Sequence, residues 1–411
     1  MKSDEVPNWD RRAFAAVLLV AVLALAAAIL TSPRQYVHDE LNYVLYVHLL
    51  KDFGLTEQFL DALPGAAGPL YGFLHLIFEP LTGLSPVWMR WVNAVLLVGV
   101  IAILAAWFRR TKCADYPLAA GSILVVPLTW LMTGVALTSL PMLVFVTLSI
   151  YLQFRGLDAL ARGGPVVGWF GASAVALGVA VWGRQPAVVL VVVPVVLAML
   201  DRRLRLPAVL FVGIVAAFLV PLVIAWDGLV PPDEEIEAGF SPGHGLLSLG
   251  YAAVYFFLLV PRLEWPLLKP LVVAAPVIVA ANVWLDMPVV YPFRTFVESF
   301  LSTTGMKIYG TTFTSLLMTA GAAFFGLVVR ALWRSRGDLQ QVAIHTGLLC
   351  CMLSPVFIAN YFSSRYAALA LPYLVLAAQP RRIWGWKTIL AAAAGCAMGL
   401  LSLVGHYWIY Y

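Results

Sequence analysis

Between residues 13 and 404 the chain returns repeatedly to apolar runs about as long as a bilayer is thick, and this recurrence limits what it can fold into. About thirteen runs can be marked, at 13–30, 86–108, 118–135, 139–154, 166–182, 187–200, 208–226, 246–260, 271–285, 311–333, 342–358, 366–378 and 389–404. Most reach or approach the roughly 17–25 residues that cross a hydrocarbon core. Of the 411 residues 62% are apolar and only 11% charged, against about 25% charged in soluble domains. So little polar surface cannot face water, so the bilayer must be the solvent. Backbone in lipid has to satisfy its own hydrogen bonds, which makes the runs helices. The predicted fold class is an all-α polytopic membrane protein of about thirteen transmembrane helices, N-terminus in and C-terminus out.

Charge sets the orientation. Asp10-Arg11-Arg12 precedes the first run, and of the 26 lysines and arginines only Arg34, Lys51, Arg90, Arg184, Arg294, Lys307 and Arg365 fall on the assigned outer side. That is the positive-inside bias. The 14 tryptophans fall near helix ends, as an aromatic belt requires. The run 13–30 has a small-residue stretch, Ala26-Ala27-Ala28, and could be a secretory leader, but it exceeds a usual leader core. Removing it would also spoil this topology, so it is read as a span. The net charge of +5 is scattered over helix ends rather than gathered on one face, so nucleic acid is not expected as a partner. Of Cys113, Cys350, Cys351 and Cys396, three lie inside helices and one in an inner loop, which argues against a disulfide framework.

The chain reads as a single membrane domain, 1–411, whose largest outer loop, 31–85, comes first. Within it 39–51 and 69–81 are predicted to be helices lying in the interface. Span middles carry almost no charge, and Arg90, about one turn in from an outer end, lies deepest. Ion-coupled transporters usually hold ionisable groups at mid-membrane, so the pattern counts against one. Polar groups gather outside instead. Asp39 and Glu40 are adjacent, so on a helix they point about 100° apart and would do different jobs. One could take a proton from a hydroxyl while the other binds sugar or orients the first. Alternatively, Asp39 merely caps the helix that follows. The outer arginines fit either an anionic headgroup such as a lipid phosphate or snorkelling at the interface. His38, His48, His75 and His244 lack the zinc-helix spacing. The acidic run Asp233, Glu234, Glu235 and Glu237 could bind a cation but reads as a solvated loop. The chain has no Gly-rich phosphate loop and no nucleophile elbow.

Taken together, Asp39-Glu40 just after the first span, the interfacial piece 69–81, Arg90 opening the next span, and Arg365-Tyr366 followed by Pro372 resemble the GT-C glycosyltransferases. These are polytopic enzymes using polyprenyl- or dolichyl-phosphate sugars. They include the protein mannosyltransferases, the aminoarabinose transferase of lipid A and the dolichyl-phosphate-glucose glucosyltransferases. Gly183-Arg184-Gln185-Pro186 resembles, more weakly, an Arg-Gln turn of the last group. The chain departs from many members at Ala67-Gly68-Pro69, where they read Lys-Pro-Pro with a phosphate-binding lysine. The large outer C-terminal domain of some members is not expected here, which leans towards a lipid-linked or small glycan acceptor.

The resemblance implies an inverting transferase in the cytoplasmic membrane, with its site on the outer face. Asp39 and Glu40 would be catalytic. Arg365, Arg184, Arg294 and Arg90 would bind the donor phosphate, and His38, Tyr43 and Tyr366 would contact substrate. The polyprenyl-phosphate sugar is a substrate, so no cofactor is expected. No metal ligands are assigned, and a divalent metal is left open. Membrane lipids are the remaining partners. Two rivals stand beside this reading: a flippase or other transporter of lipid-linked glycans, and a glycan polymerase or ligase using diphosphate-linked donors.

Overall fold

The computed structural model describes residues 8–37, 39–231, 239–262, 275–282, 284, 289–292, 294–358, 362–378 and 385–408. Among these every extended element is a helix. In chain order they are α1 (Asn8–Leu30), α2 (Glu40–Phe53), α3 (Glu57–Asp61), α4 (Leu70–Thr82), α5 (Pro86–Arg110), α6 (Tyr116–Gly121), α7 (Pro127–Gly134), α8 (Ser139–Ala161), α9 (Val167–Gly183), α10 (Val192–Leu200), α11 (Arg205–Trp226), α12 (Pro242–Leu259), α13 (Arg294–Glu298), α14 (Thr303–Arg334), α15 (Leu339–Leu353), α16 (Leu371–Ala378) and α17 (Trp386–Trp408). Short 3₁₀ stretches precede α7, α10, α11 and α16, and one follows α15.

Eight of the helical segments described are long and apolar enough to cross a bilayer, or nine if Tyr116–Val125 and Pro127–Gly134, bent by 78°, form one span. Val167–Gly183, Gln185–Leu200 and Ser364–Ala378 are shorter apolar helices. Residues 271–274, 283 and 285 of the run 271–285 lie outside the described residues. The bend at Pro127 has a simple cause, since proline lacks an N–H and begins a new helix more readily than it continues one. Spans pack through small residues, as lipid-immersed helices must. Ser149 of α8 and Ser173 of α9 donate to each other's backbone carbonyls at 2.8 and 2.7 Å. Where α17 crosses ahead of α7, a Cβ on Gly395 would stand 2.1 Å from the Val125 carbonyl oxygen.

The first outer loop forms a small helical layer against the spans. α2 buries Tyr43, Val44, Tyr46, Val47 and Leu50 and leaves Leu41, Asn42, Leu45 and His48 exposed, and its partner is α4. Gly72 lets α4 approach the backbone of Tyr46. The Tyr46 hydroxyl donates to the carbonyls of Gly65 and Ala67 at 2.8 and 3.1 Å, tying down the link between α3 and α4. That link then docks on the end of α9. The Gly68 N–H donates to the Gly183 carbonyl at 3.2 Å, and a Cβ on Gly68 would lie 2.3 Å from the Trp182 oxygen. Glycine is therefore required where the loop meets the Arg184 turn.

A second junction lies between α7 and α8. Asn93, buried in α5, donates through Nδ2 to the carbonyls of Met132, Val135 and Leu137 at 3.1–3.2 Å. The Tyr71 hydroxyl of α4 donates to the Ala136 carbonyl at 3.0 Å, and the Tyr407 hydroxyl of α17 donates to that of Gly134. Residues 134–138 are held from three helices at once.

Replacing Gly68 with alanine forces backbone to move and is expected to cost about 1–3 kcal/mol. Thermal unfolding in detergent should show a lowered midpoint, and an unchanged midpoint would mean the loop is not docked on α9.

Candidate active site

Glu40 and Arg90 are each completely buried, with side-chain exposures of 0%. Such a pair survives only if both partners are fully hydrogen-bonded, and here they are. Arg90 gives Nε and Nη2 to the two Glu40 oxygens at 2.8 and 2.6 Å. Its remaining N–H groups go to the Ser32 hydroxyl and the carbonyls of Pro33 and Gln35 at 2.6–3.0 Å. Glu40 also accepts from the backbone N–H of Val37 at 2.9 Å and of Ala136 at 2.7 Å. The carboxylate thus accepts four bonds, and all five guanidinium donors are spent.

This differs from the roles predicted from sequence for both residues. Arg90 has no N–H left for a phosphate, and Glu40 has neither a free lone pair nor an approach for an acceptor hydroxyl. The pair is a clamp that fixes the loop after α1, the start of α2 and the bend before α8.

Asp39 does a different job, as the 100° offset requires. It occupies the N-cap position of α2, yet its side chain makes no capping bond. Instead Oδ2 accepts from Arg365 Nη1 at 2.6 Å, across 326 residues of sequence. The two side chains are 28% and 18% exposed, so the pair stands at the edge of solvent. Ser363 Oγ holds Arg365 Nε at 3.2 Å.

Beside Arg365 opens a small pocket. Ser139, Met142, Arg184, Pro186, Arg365 and Tyr366 line it, with Ser354, Pro355, Ile358 and Leu369 completing the wall. Arg184 follows the last residue of α9 in extended backbone, which turns it away from the helix axis. Two of the outer arginines therefore face one hollow, with no carboxylate in its lining. Guanidinium groups are the donors that suit an anion, and one of these two also holds Asp39.

Not all the predicted residues gather here. Arg294 is exposed and pairs with Glu298, four residues on in the same short helix, at 2.5 Å. Tyr43 is buried against Tyr46 and Tyr71, with ring centroids 5.7 and 5.4 Å away. Tyr366 lines the pocket, its ring edge-on to Phe362. His38 and the acidic residues 233–235 and 237 lie outside the described residues. Sequence reasoning missed Ser139 and Ser354 in the lining, because hydroxyls at helix starts and ends are too common to signal a site.

His75 of α4 is also fully buried. Its ring lies 4.2 Å from that of Tyr71, and neither nitrogen has a hydrogen-bond partner among the described residues. Burial pushes its pKa down to about 3, so the folded protein holds it neutral. The unfolded chain takes up a proton below about pH 6.5. Stability should therefore fall as the pH drops through that value, by up to about 1.4 kcal/mol per unit until the folded group itself titrates. Unfolding midpoints at pH 7 and pH 5 should lie closer together in His75→Leu than in the parent chain; an equal gap would refute the assignment.

Breaking the clamp leaves one buried charge unmatched, so Arg90→Ala or Glu40→Ala should cost about 3–5 kcal/mol. Loss of folded protein in membranes is the expected readout. A well-folded Arg90→Ala protein with weakened donor use would return Arg90 to the phosphate role.

No protein-family model matches the chain, nor does any curated protein. Two solved structures are similar at a distance. One is the crystal structure of ArnT from Cupriavidus metallidurans in the apo state, at 18% identity over 96% of this chain and 76% of that one, with a TM-score of 0.45. The other is the crystal structure of the same protein bound to undecaprenyl phosphate, at 18% identity over 96% and 77%, with a TM-score of 0.43.

Proposed function

We propose that the chain is an inverting membrane glycosyltransferase of the GT-C kind, moving a sugar from a polyprenyl-phosphate donor to a lipid-linked or glycan acceptor on the outer face of the membrane. The observation that carries this reading is the meeting of Asp39 with Arg365 at 2.6 Å, at the rim of a pocket that also presents Arg184. A proton acceptor and an anion site stand side by side, which is what displacement at a phosphate-linked anomeric carbon needs.

The chemistry follows from the charges. The acceptor hydroxyl attacks the anomeric carbon as its proton passes to the Asp39 carboxylate, a general base partly open to solvent. The bond from that carbon to the phosphate oxygen breaks on the opposite side, inverting the centre. Negative charge builds on the leaving polyprenyl phosphate, where Arg365 and Arg184 stabilise it without reorganising. The pair with Arg365 also aims Asp39. Glu40 and Arg90 act through position alone, holding the backbone from which Asp39 projects.

Asp39→Asn preserves the shape of the ion pair but removes the base, so kcat should fall by about 10²–10⁴-fold with the unfolding midpoint retained. Arg365→Ala should raise the KM for a polyprenyl-phosphate donor and slow transfer. Full activity of Asp39→Asn would end the base assignment, and donor use unchanged in Arg365→Ala would end the phosphate assignment.

A further inference from the structure

The pocket between Arg184 and Arg365 contains a hydroxyl with nothing to bond. Ser139 opens α8 and lines the pocket. It is 1% exposed, and its Oγ has no hydrogen-bond partner among the described residues. Ser122, Ser149, Ser173 and Ser354, also buried, each donate to a backbone carbonyl; Ser248 is likewise buried and unpaired but does not line the pocket. A helical serine normally turns back to the carbonyl three or four residues earlier. For Ser139 those belong to Ala136 and Val135, which already accept from Tyr71 and Asn93.

Two neighbours share the condition. Thr138, the residue before α8, makes no capping bond and leaves Oγ1 unpaired, and Gln185, next to Arg184, leaves Nε2 unpaired; both are buried. Buried polar atoms without partners are rare, because each forfeits its bonds to water. Of the three, Ser139 lines the two-arginine pocket, and its unmet donor implies a polar ligand there. The first turn of α8, a helix of 23 residues, adds the partial positive charge of its uncapped N–H groups.

We propose that Ser139 is a third ligand of the phosphate, donating its Oγ hydrogen to a phosphate oxygen held between Arg184 and Arg365. This rests on reading the pocket as the donor-phosphate site, and it adds an affinity that, unlike that of the arginines, depends little on ligand charge. Coulomb attraction grows with ligand charge, whereas a hydroxyl's hydrogen bond changes far less. The donor is a phosphodiester with a single negative charge. The spent carrier is a monoester of about −1.5 to −2 at neutral pH. Arginines alone favour the spent carrier and would trap the enzyme with product. Ser139 strengthens binding of both by the same factor, so donor affinity rises while the arginines' preference between donor and spent carrier is left unchanged.

The test uses the full chain in detergent, with farnesyl phosphate as monoester, its methyl ester as diester, and inorganic phosphate as the head without a tail. Ser139→Ala should weaken farnesyl phosphate and the methyl ester equally, by about five- to tenfold. Arg184→Ala should weaken the monoester more than the diester. Without ligand, the unfolding midpoint of Ser139→Ala should be unchanged or higher, since the substitution removes an unpaired buried hydroxyl; a structural serine would lower it. Binding of either lipid within twofold of the parent, or a lowered midpoint without ligand, overturns the proposal. So does a loss confined to inorganic phosphate, which would make the pocket a site for the free ion. If Arg365→Ala weakens farnesyl phosphate while Ser139→Ala does not, Ser139 falls and the donor site stands. If neither does, the donor-site reading falls as well.

Discussion

The buried pair of Glu40 and Arg90 is the interaction on which the packing around Asp39 depends. Removing two full charges from water is costly, and the attraction between them repays it only when every remaining lone pair and proton is matched. The matching draws in Ser32, Pro33, Gln35 and Val37 from the loop after α1 and Ala136 from the bend before α8. Segments that share no helix are thereby fixed to one point. Because Asp39 adjoins Glu40, its direction is fixed by the same clamp. Adjacent carboxylates end in opposite conditions, one sealed and saturated, the other at the rim and joined to Arg365.

A second fixed point is the stretch 134–138, whose backbone groups are claimed by Glu40, Tyr71, Asn93 and Tyr407. This stretch delivers the chain to Ser139. The turn carrying Arg184 is held in turn by Gly68. The pocket residues Ser139 and Arg184 are therefore delivered by hydrogen-bonded junctions, which is how a site keeps its donors aimed.

Much of this was readable from the chain. The fold class follows from composition, and the spacing of apolar runs anticipates where the described helices fall. Arg184 and Arg365 were visible as bases placed against the charge gradient, and Asp39 as an acid beginning a helix. The partner of Arg90 was less legible. An arginine one turn inside an apolar helix must have an acid, but adjacent Asp39 and Glu40 look equivalent until tertiary packing chooses which turns inward. Arg294 was legible in a different way: Glu298 stands four residues on, the spacing of an ordinary exposed helix pair, and that local partner competes with any ligand. Ser139 gave no signal, because its significance lies in two carbonyls already taken by Tyr71 and Asn93, which only the folded chain displays.

The separation of 326 residues between Asp39 and Arg365 has a consequence for biogenesis. Glu40 and Arg90 are only 50 apart and can find each other while most of the protein is still unmade. Ribosomes add about 5–20 residues per second, so Arg365 emerges roughly 15–65 seconds after Asp39. The newborn polypeptide thus acquires its scaffold early and its working centre near the end of translation. A partly inserted chain therefore holds the Glu40–Arg90 clamp before the Asp39–Arg365 pair can form.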